Sequence, residues 1–176
     1  MRSRKFFSQK RDKKMDVIWA PWRMGYILQV RNTSCFLCQS LKNKEDTENY
    51  VVYRKKHAFV ILNTFPYNNG HLMVVPARHV GELEELRKEE VAEIFSLVKL
   101  SLSVLRTVIK PHGFNLGVNL GRVAGAGLVD HLHIHVVPRW EGDTNFMPVV
   151  AETKVIPQSL LELRDRLKEV FQRKRI

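Results

Sequence analysis

The sequence contains only two cysteines in 176 residues, Cys35 and Cys38. One pair cannot supply the several disulfides that stabilise small secreted domains, and a separation of two residues is typical of a metal site or a redox pair in a reducing compartment. A run of about 20 apolar residues, which a membrane helix requires, is also missing, and no apolar segment follows the charged N-terminus. These absences argue against a disulfide-rich secreted module and an integral membrane protein, so we expect a cytoplasmic protein.

Acidic residues are few relative to basic ones, and the formal net charge is +11. Residues 1–14 contain seven Lys or Arg and one Asp, a net +6, which leaves +5 for the remaining residues. Because most of the excess lies in one short segment, we predict a disordered, solvated leader over residues 1–14. Binding of this leader to RNA or to membrane phosphates is the alternative.

The length is suited to a single domain, which we place at residues 15–176. Within it we distinguish an aromatic and cysteine-bearing segment (15–48), a core (49–140) and a C-terminal extension with a helix (141–176). Apolar patterning predicts strands at 50–54, 57–62, 71–76, 114–120 and 131–137.

Helical spacing of apolar residues predicts one long helix from Glu89 to Ile109, which Pro111 and Gly113 terminate. A final amphipathic helix follows Ser159, which stands with Glu162 in capping-box register. Strands in succession around one long helix indicate an α+β domain with a mainly antiparallel sheet.

Three histidines alternate with apolar residues at positions 131, 133 and 135. On a strand they share one face at intervals of about 6.6 Å, a spacing suited to one extended ligand. Valine would serve the folding of such a strand better than histidine, so the row indicates chemistry. Two interpretations follow, a metal site on all three imidazoles or a single nucleophilic imidazole that attacks phosphorus.

A glycine-rich loop immediately upstream favours the nucleophile. Asn119 and the glycines at 121, 125 and 127 provide backbone amides that no Cβ obstructs, as a phosphate cradle requires.

The segment from His131 to Val137 resembles the signature of the histidine-triad (HIT) superfamily, and Asn63 through Pro76 is similar to its nucleoside-binding strand-loop-strand. The resemblance covers roughly residues 49–140 and, with the Cys35 to Cys38 segment, most of the chain. It implies a HIT-like fold, with one long helix and a C-terminal helix beside the sheet. It also implies a homodimer, since family members are commonly dimeric.

Carried over by position, the resemblance implies that His133 is the nucleophile, which forms a covalent nucleotidyl-histidine, and that His135 hydrogen-bonds the neighbouring phosphate. The other implied contacts are Asn63 with the ribose hydroxyls, His71 near the same pocket, and Asn119 with the loop from Gly125 to Gly127 at the phosphate oxygens.

Zinc-bearing members of the family imply a structural zinc on Cys35, Cys38, His79 and His131. With four protein ligands the metal has no open position for a catalytic water. The alternative is a pair of free, buried thiols.

Gly127 stands where many hydrolases of the family carry a glutamine. The segments 19–23 and 125–131 instead resemble the family's bacterial diadenosine tetraphosphate phosphorylases. The resemblance therefore implies cleavage of a dinucleoside polyphosphate by phosphorolysis, with inorganic phosphate as the acceptor. Hydrolysis is the first alternative, and a non-catalytic nucleotide- or RNA-binding module is the second.

Overall fold

The computed structural model describes residues 35–43, 49–144 and 155–174. Its centre is a five-stranded sheet of order β1-β2-β3-β5-β4, in which every neighbouring pair is antiparallel. The strands are β1 (Val51–Arg54), β2 (Ala58–Leu62), β3 (Leu72–Pro76), β4 (Gly113–Val118) and β5 (Ile134–Arg139). The mainly antiparallel α+β architecture that the sequence predicts is thus confirmed.

Within residues 35–43, 49–144 and 155–174, three α-helices accompany the sheet: α1 (Phe36–Lys42), α2 (Lys88–Val108) and α3 (Leu160–Arg173). The long helix α2 packs across β2, β3 and β5, while α3 packs against α2 and β1. Among the described residues, no helix has the length and apolarity that crossing a bilayer demands.

The two faces of the sheet have different surroundings. On one face, Ile134 and Val136 of β5 join the large apolar core beneath α2 and α3. On the other face lies a smaller apolar cluster, to which Leu37 of α1 and Met73 of β3 belong. Alternate residues of a strand point to opposite faces, so each strand supplies both layers.

The strand that carries the histidines is shorter than predicted. It begins at Ile134, so His131 and His133 precede it. Val118 pairs with Ile134 as the last rung between β4 and β5, and beyond this rung Leu132 donates its backbone N–H to Val80 O at 2.7 Å instead. The prediction of a regular strand from His131 was therefore wrong, because the backbone before Ile134 hydrogen-bonds Val80 in a loop instead of a neighbouring strand.

Two further details differ from the sequence prediction. Residues 36–42, which contain Cys38, form a helix that the sequence pattern did not predict. Ser159 does occupy the N-cap of α3, but its side chain makes no capping hydrogen bond. The leader 1–14 and the segment 19–23 lie outside the described residues, and the division into segments stays a prediction.

Candidate active site and metal cluster

The sheet register brings the histidines to the face opposite α2 and α3. His135 pairs with Met73 of β3 on one side and with Gly117 of β4 on the other. Because Ile134 and Val136 point into the helix-covered core, His135 points to the other face, where Met73 also lies. The site residues therefore share a face with α1.

His133 is buried, with 8% of its surface exposed. Its Nδ1 lies 2.9 Å from the carbonyl oxygen of His131. A carbonyl only accepts, so Nδ1 carries the proton and Nε2 carries the lone pair. Burial lowers the pKa of His133, and the hydrogen bond to His131 opposes this only in part. His133 is therefore a neutral imidazole at neutral pH, in the tautomer whose Nε2 can attack an electrophile.

His71 and His135 form a directed chain of hydrogen bonds behind the site. Tyr67 donates its backbone N–H to His71 Nδ1 at 3.0 Å, which leaves the proton of His71 on Nε2. That nitrogen donates to His135 Nδ1 at 2.9 Å, so the proton of His135 resides on Nε2. His71 is fully buried, and the bond from its Nε2 connects it to His135.

Tyr67 packs beside both histidines, a position that the sequence did not indicate. Its ring lies 4.7 Å from the ring of His71 and 5.5 Å from that of His135, measured between centroids. The loop signal from Pro66 to Gly70 concealed its role, because turn residues indicate an irregular backbone but not which side chain returns to the sheet.

Asn63 lies at the start of the same loop. Its Oδ1 accepts the backbone N–H of Phe65 at 2.9 Å, and its Nδ2 lies 3.3 Å from His71 Nδ1. The residues on either side of Asn63 line a cleft of about 270 Å³. The full lining is Phe36, Gln39, Ser40, Asn43, Asn49, Tyr50, Ile61, Leu62, Thr64 and Met73. Asn63 thus stands between this cleft and the histidines.

The glycine-rich loop approaches the histidines from the β4 side. Asn119 follows directly after Val118, the partner of Ile134, and so lies across from His133. Its Nδ2 donates to Gly125 O at 3.3 Å. Gly125 adopts φ of +88°, a left-handed conformation that a side chain would strain. Gly127 is half-buried in the same loop.

The predicted metal ligands come together in one cluster. Their ligand atoms all lie within 4.8 Å of one another. The members are Cys35, Cys38, His79 and His131. They come from α1, from the segment after β3 and from the segment before β5, so the fold joins three separate parts of the chain here.

The spacing of the cluster fits a tetrahedral zinc ion. Zn–S bonds of about 2.3 Å and Zn–N bonds of about 2.05 Å imply N···N edges of about 3.3 Å and S···N edges of about 3.6 Å. The Nδ1 atoms of His79 and His131 are 3.3 Å apart, and Cys38 Sγ lies 3.4 Å and 3.5 Å from them. His131 also donates its Nε2 proton to Pro76 O at 2.9 Å, which leaves Nδ1 as a metal ligand.

Binding of a metal to the cluster should depend on pH. Burial, followed by the neighbouring Cys35, raises the pKa of the Cys38 thiol to about 11. A metal must therefore displace this proton when it binds, and its affinity falls as the pH falls.

The comparisons with known proteins agree with this geometry. Residues 44–142 match the family model described as HIT domain. The chain is 44% identical over 155 residues to an AP-4-A phosphorylase of Mycobacterium tuberculosis, a match that covers 84% of this chain and 80% of the relative.

Two solved structures extend the agreement to the fold. A hypothetical histidine triad nucleotide-binding protein from Sulfolobus tokodaii is 29% identical and covers 79% of this chain and 93% of its own, with a TM-score of 0.63. A zinc-bound histidine triad family protein from Mycobacterium smegmatis is 25% identical and covers 80% of this chain and 94% of its own, also with a TM-score of 0.63. The chain belongs to the HIT family.

Proposed function

We propose that this chain is an enzyme that cleaves a dinucleoside polyphosphate, with diadenosine tetraphosphate as the model substrate, through a covalent nucleotidyl-His133. The observation that carries the proposal is the hydrogen bond from His133 Nδ1 to the His131 carbonyl, because it leaves the lone pair on Nε2. The name of the Mycobacterium tuberculosis relative, AP-4-A phosphorylase, supports the substrate and the type of reaction.

The arrangement of the site suggests one direction for the substrate. A nucleobase enters the cleft beside α1, and Asn63 at its edge meets the ribose hydroxyls. The phosphates then extend towards His135, whose Nε2–H donates to an oxygen, and the loop with Asn119 and Gly125 holds the others. Fixed donors of this kind stabilise the charge that develops on the transferred phosphoryl group.

The chemistry requires two displacements at the same phosphorus. His133 Nε2 forms a bond to the α-phosphorus of diadenosine tetraphosphate, the bond from that phosphorus to its bridging oxygen breaks, and ATP leaves with the electron pair. An oxygen of inorganic phosphate then attacks the adenylyl group, the P–N bond breaks, and ADP is released. His133 recovers its lone pair, so the enzyme is unchanged after each turnover.

We assign the acceptor to inorganic phosphate because of Gly127, which lacks the side chain that could reach over the attacking oxygen. Water as the acceptor gives hydrolysis, which is distinguished by its products, AMP and ATP.

A zinc ion on the cysteine-histidine cluster would connect α1 to the rest of the domain, as a structural metal with four protein ligands does. The thiols it requires are suited to a reducing cytoplasm.

We also propose that the chain forms a homodimer through its β4 flank. Strand β4 is an edge of the sheet, and Leu116 on it is 52% exposed. On α2, Phe95 is 59% exposed. Arg106 lies further along the same side of α2, reached from Phe95 in steps of three to four residues. Its guanidinium lies 5.2 Å from the Phe114 ring of β4. Phe95 and Leu116 thus expose apolar area on this flank beside the edge of the sheet, as surfaces that interfaces bury do.

The reaction is tested with diadenosine tetraphosphate labelled on one α-phosphate, in the presence and absence of inorganic phosphate. Phosphorolysis produces ATP and ADP at a rate that depends on phosphate. AMP and ATP at a rate independent of phosphate would assign the reaction to hydrolysis. Denaturing quench during turnover should trap label on His133, and normal turnover without any trapped label would contradict the covalent mechanism.

A further inference from the structure

Tyr67 contacts His71 and His135 through its ring as well as through its backbone. The backbone N–H donates to His71 Nδ1 at 3.0 Å. The ring lies tilted against both imidazoles, at interplanar angles of 33° to His71 and 40° to His135. Tyr67 is 39% exposed, whereas His71 is fully buried and His135 is 8% exposed. The Tyr67 ring is therefore part of the cover that separates the two histidines from solvent.

The residue after Tyr67 attaches the loop to the strand that carries His135. Asn68 is buried, and its Nδ2 donates to Pro138 O at 3.1 Å and to Asp143 Oδ2 at 2.7 Å. Pro138 belongs to β5, as His135 does. The backbone beside Tyr67 is thus held to the same strand as His135, which keeps the tyrosine next to the imidazole that it covers.

We infer that Tyr67 is a positioning residue for His135. Its ring shields the hydrogen bond between His71 Nε2 and His135 Nδ1 from water, and it restricts the tilt of the His135 imidazole. The inference rests on the proposed function, in which His135 donates its Nε2–H to a phosphate oxygen. Tyr67 acts on the reaction through His135 and needs no contact of its own with the substrate.

The physical reason is that the hydrogen bond from His71 holds His135 at only one ring atom. A bond at one atom leaves the imidazole able to tilt about that atom, and contacts against the ring restrict this motion. The Tyr67 ring supplies such a contact, and the His133 ring, 4.9 Å away and nearly perpendicular, supplies another. A hydrogen bond also stabilises more where water does not compete for its donor and acceptor. Loss of the Tyr67 ring should therefore loosen His135 and open its bond to water.

The test compares Tyr67→Ala, Tyr67→Leu and Tyr67→Phe in the full chain. Every variant retains the backbone N–H that donates to His71 Nδ1, so only the side chain differs. Leucine is apolar but has no ring, and phenylalanine keeps the ring without the hydroxyl, which makes it the matched control. NMR of the nucleotide-free protein, with 15N in its histidines, measures how fast the His71 Nε2 proton exchanges with water. The signal that disappears in His71→Leu identifies this proton.

A second control separates the cover from general stability. Ile94 of α2 is buried in the core on the other face of the sheet. Ile94→Ala or Ile94→Val, whichever matches the melting temperature of Tyr67→Ala, should leave the exchange of the His71 proton at the wild-type rate. Equally fast exchange in this control would overturn the inference, because the proton would then report global opening. Circular dichroism checks the folding of every variant.

Tyr67→Ala should speed the exchange of the His71 proton by about 3–10-fold, the factor that aromatic contacts of ordinary strength provide. Transfer of label from diadenosine tetraphosphate to His133 in a single turnover should slow by about the same factor. Tyr67→Phe should stay close to wild type in both measurements, with Tyr67→Leu between the two.

Three results distinguish the inference from the function on which it rests. Unchanged proton exchange or unchanged label transfer in Tyr67→Ala would overturn the inference while the proposed function stands. An equal loss in Tyr67→Phe would also overturn it, because the hydroxyl and not the ring would then be required. Faster proton exchange in Tyr67→Ala, in a protein that turns over without labelled His133, would support the cover and overturn the covalent mechanism.

Discussion

The two faces of the sheet differ in what their side chains do, although the same strands supply both. The face under α2 and α3 is a continuous apolar core. The opposite face combines a small apolar cluster, the cleft beside α1 and the metal cluster. In β5 the division falls between neighbours, with Ile134 and Val136 on one face and His135 on the other. Apart from the metal cluster, whose zinc would be structural, substitutions on the face that carries His135 should mainly affect turnover, and substitutions on the face under α2 and α3 should mainly affect stability.

The largest effect is expected on the face of the sheet that carries His135, the histidine face. His133→Ala removes the proposed nucleophile, so turnover of diadenosine tetraphosphate should fall by roughly 10⁴-fold or more. His133 belongs to neither apolar core cluster and its one described hydrogen bond is to a neighbouring carbonyl, so the melting temperature should change by only a few degrees. Steady-state kinetics and calorimetry measure both quantities, and zinc content should stay at the wild-type value. Activity within tenfold of wild type would remove His133 from the mechanism.

The reverse pattern, a large loss of stability with little loss of turnover, is expected on the helix face, which lies under α2 and α3. Leu97 of α2 is fully buried in the large core. Leu97→Ala should lower the free energy of unfolding by about 2–5 kcal/mol, because it removes buried methyl groups and leaves a cavity. Denaturant unfolding measures the loss. The turnover number per folded molecule should remain within about twofold, and a collapse of turnover in the folded variant would show that the two faces are coupled.

The sequence predicted the helix face well because its signal is periodic. The prediction of a helix from Glu89 to Ile109 differs by one residue at each end from α2, Lys88–Val108. Strands β2 and β3 were placed to within a residue, since apolar runs between turn signals determine them.

The histidine face was predicted less completely, because its geometry depends on tertiary contacts. Helix α1 is too short to show a periodicity. The role of His71 depends on Tyr67 and His135, which only the folded loop and the β3–β5 register bring to it. The four metal ligands did come together as expected, but the family resemblance, not their spacing alone, indicated His79 and His131.

A smaller and more selective effect is expected at His71, which lies one contact behind His135, the proposed phosphate-binding residue. His71→Leu removes the N–H that is donated to His135 Nδ1, so the proton of His135 is no longer confined to Nε2. We expect the turnover number to fall by about 10–100-fold, the range typical of partners that orient a functional imidazole. His71→Gln retains a side-chain N–H donor and should recover part of the loss. Equal activity of the Leu and Gln variants would show that the bond to His135 has no role in turnover.

The smallest expected effect concerns the contact between Glu90 and Arg78, which joins α2 on the helix face to the residue before His79. Glu90 of α2 binds Arg78, the residue before His79, through hydrogen bonds of 2.9 Å to Nε and 2.9 Å to a terminal guanidinium nitrogen. The bond with Arg78 is the main cause that lowers the pKa of Glu90 to about 2, from an ordinary value of 4.5. A depressed pKa contributes stability above pH 4.5 that is lost as the pH falls towards about 2.

Glu90→Gln should therefore lower the free energy of unfolding by about 1 kcal/mol at neutral pH, a modest value because Arg78 is partly exposed to solvent. The difference from wild type should shrink below pH 4.5 and vanish near pH 2, as denaturant unfolding across this range will show. Zinc content should not change if the metal holds His79 independently of Arg78. A loss of zinc in Glu90→Gln would instead show that α2, on the helix face of the sheet, helps to position His79, a candidate metal ligand on the histidine face.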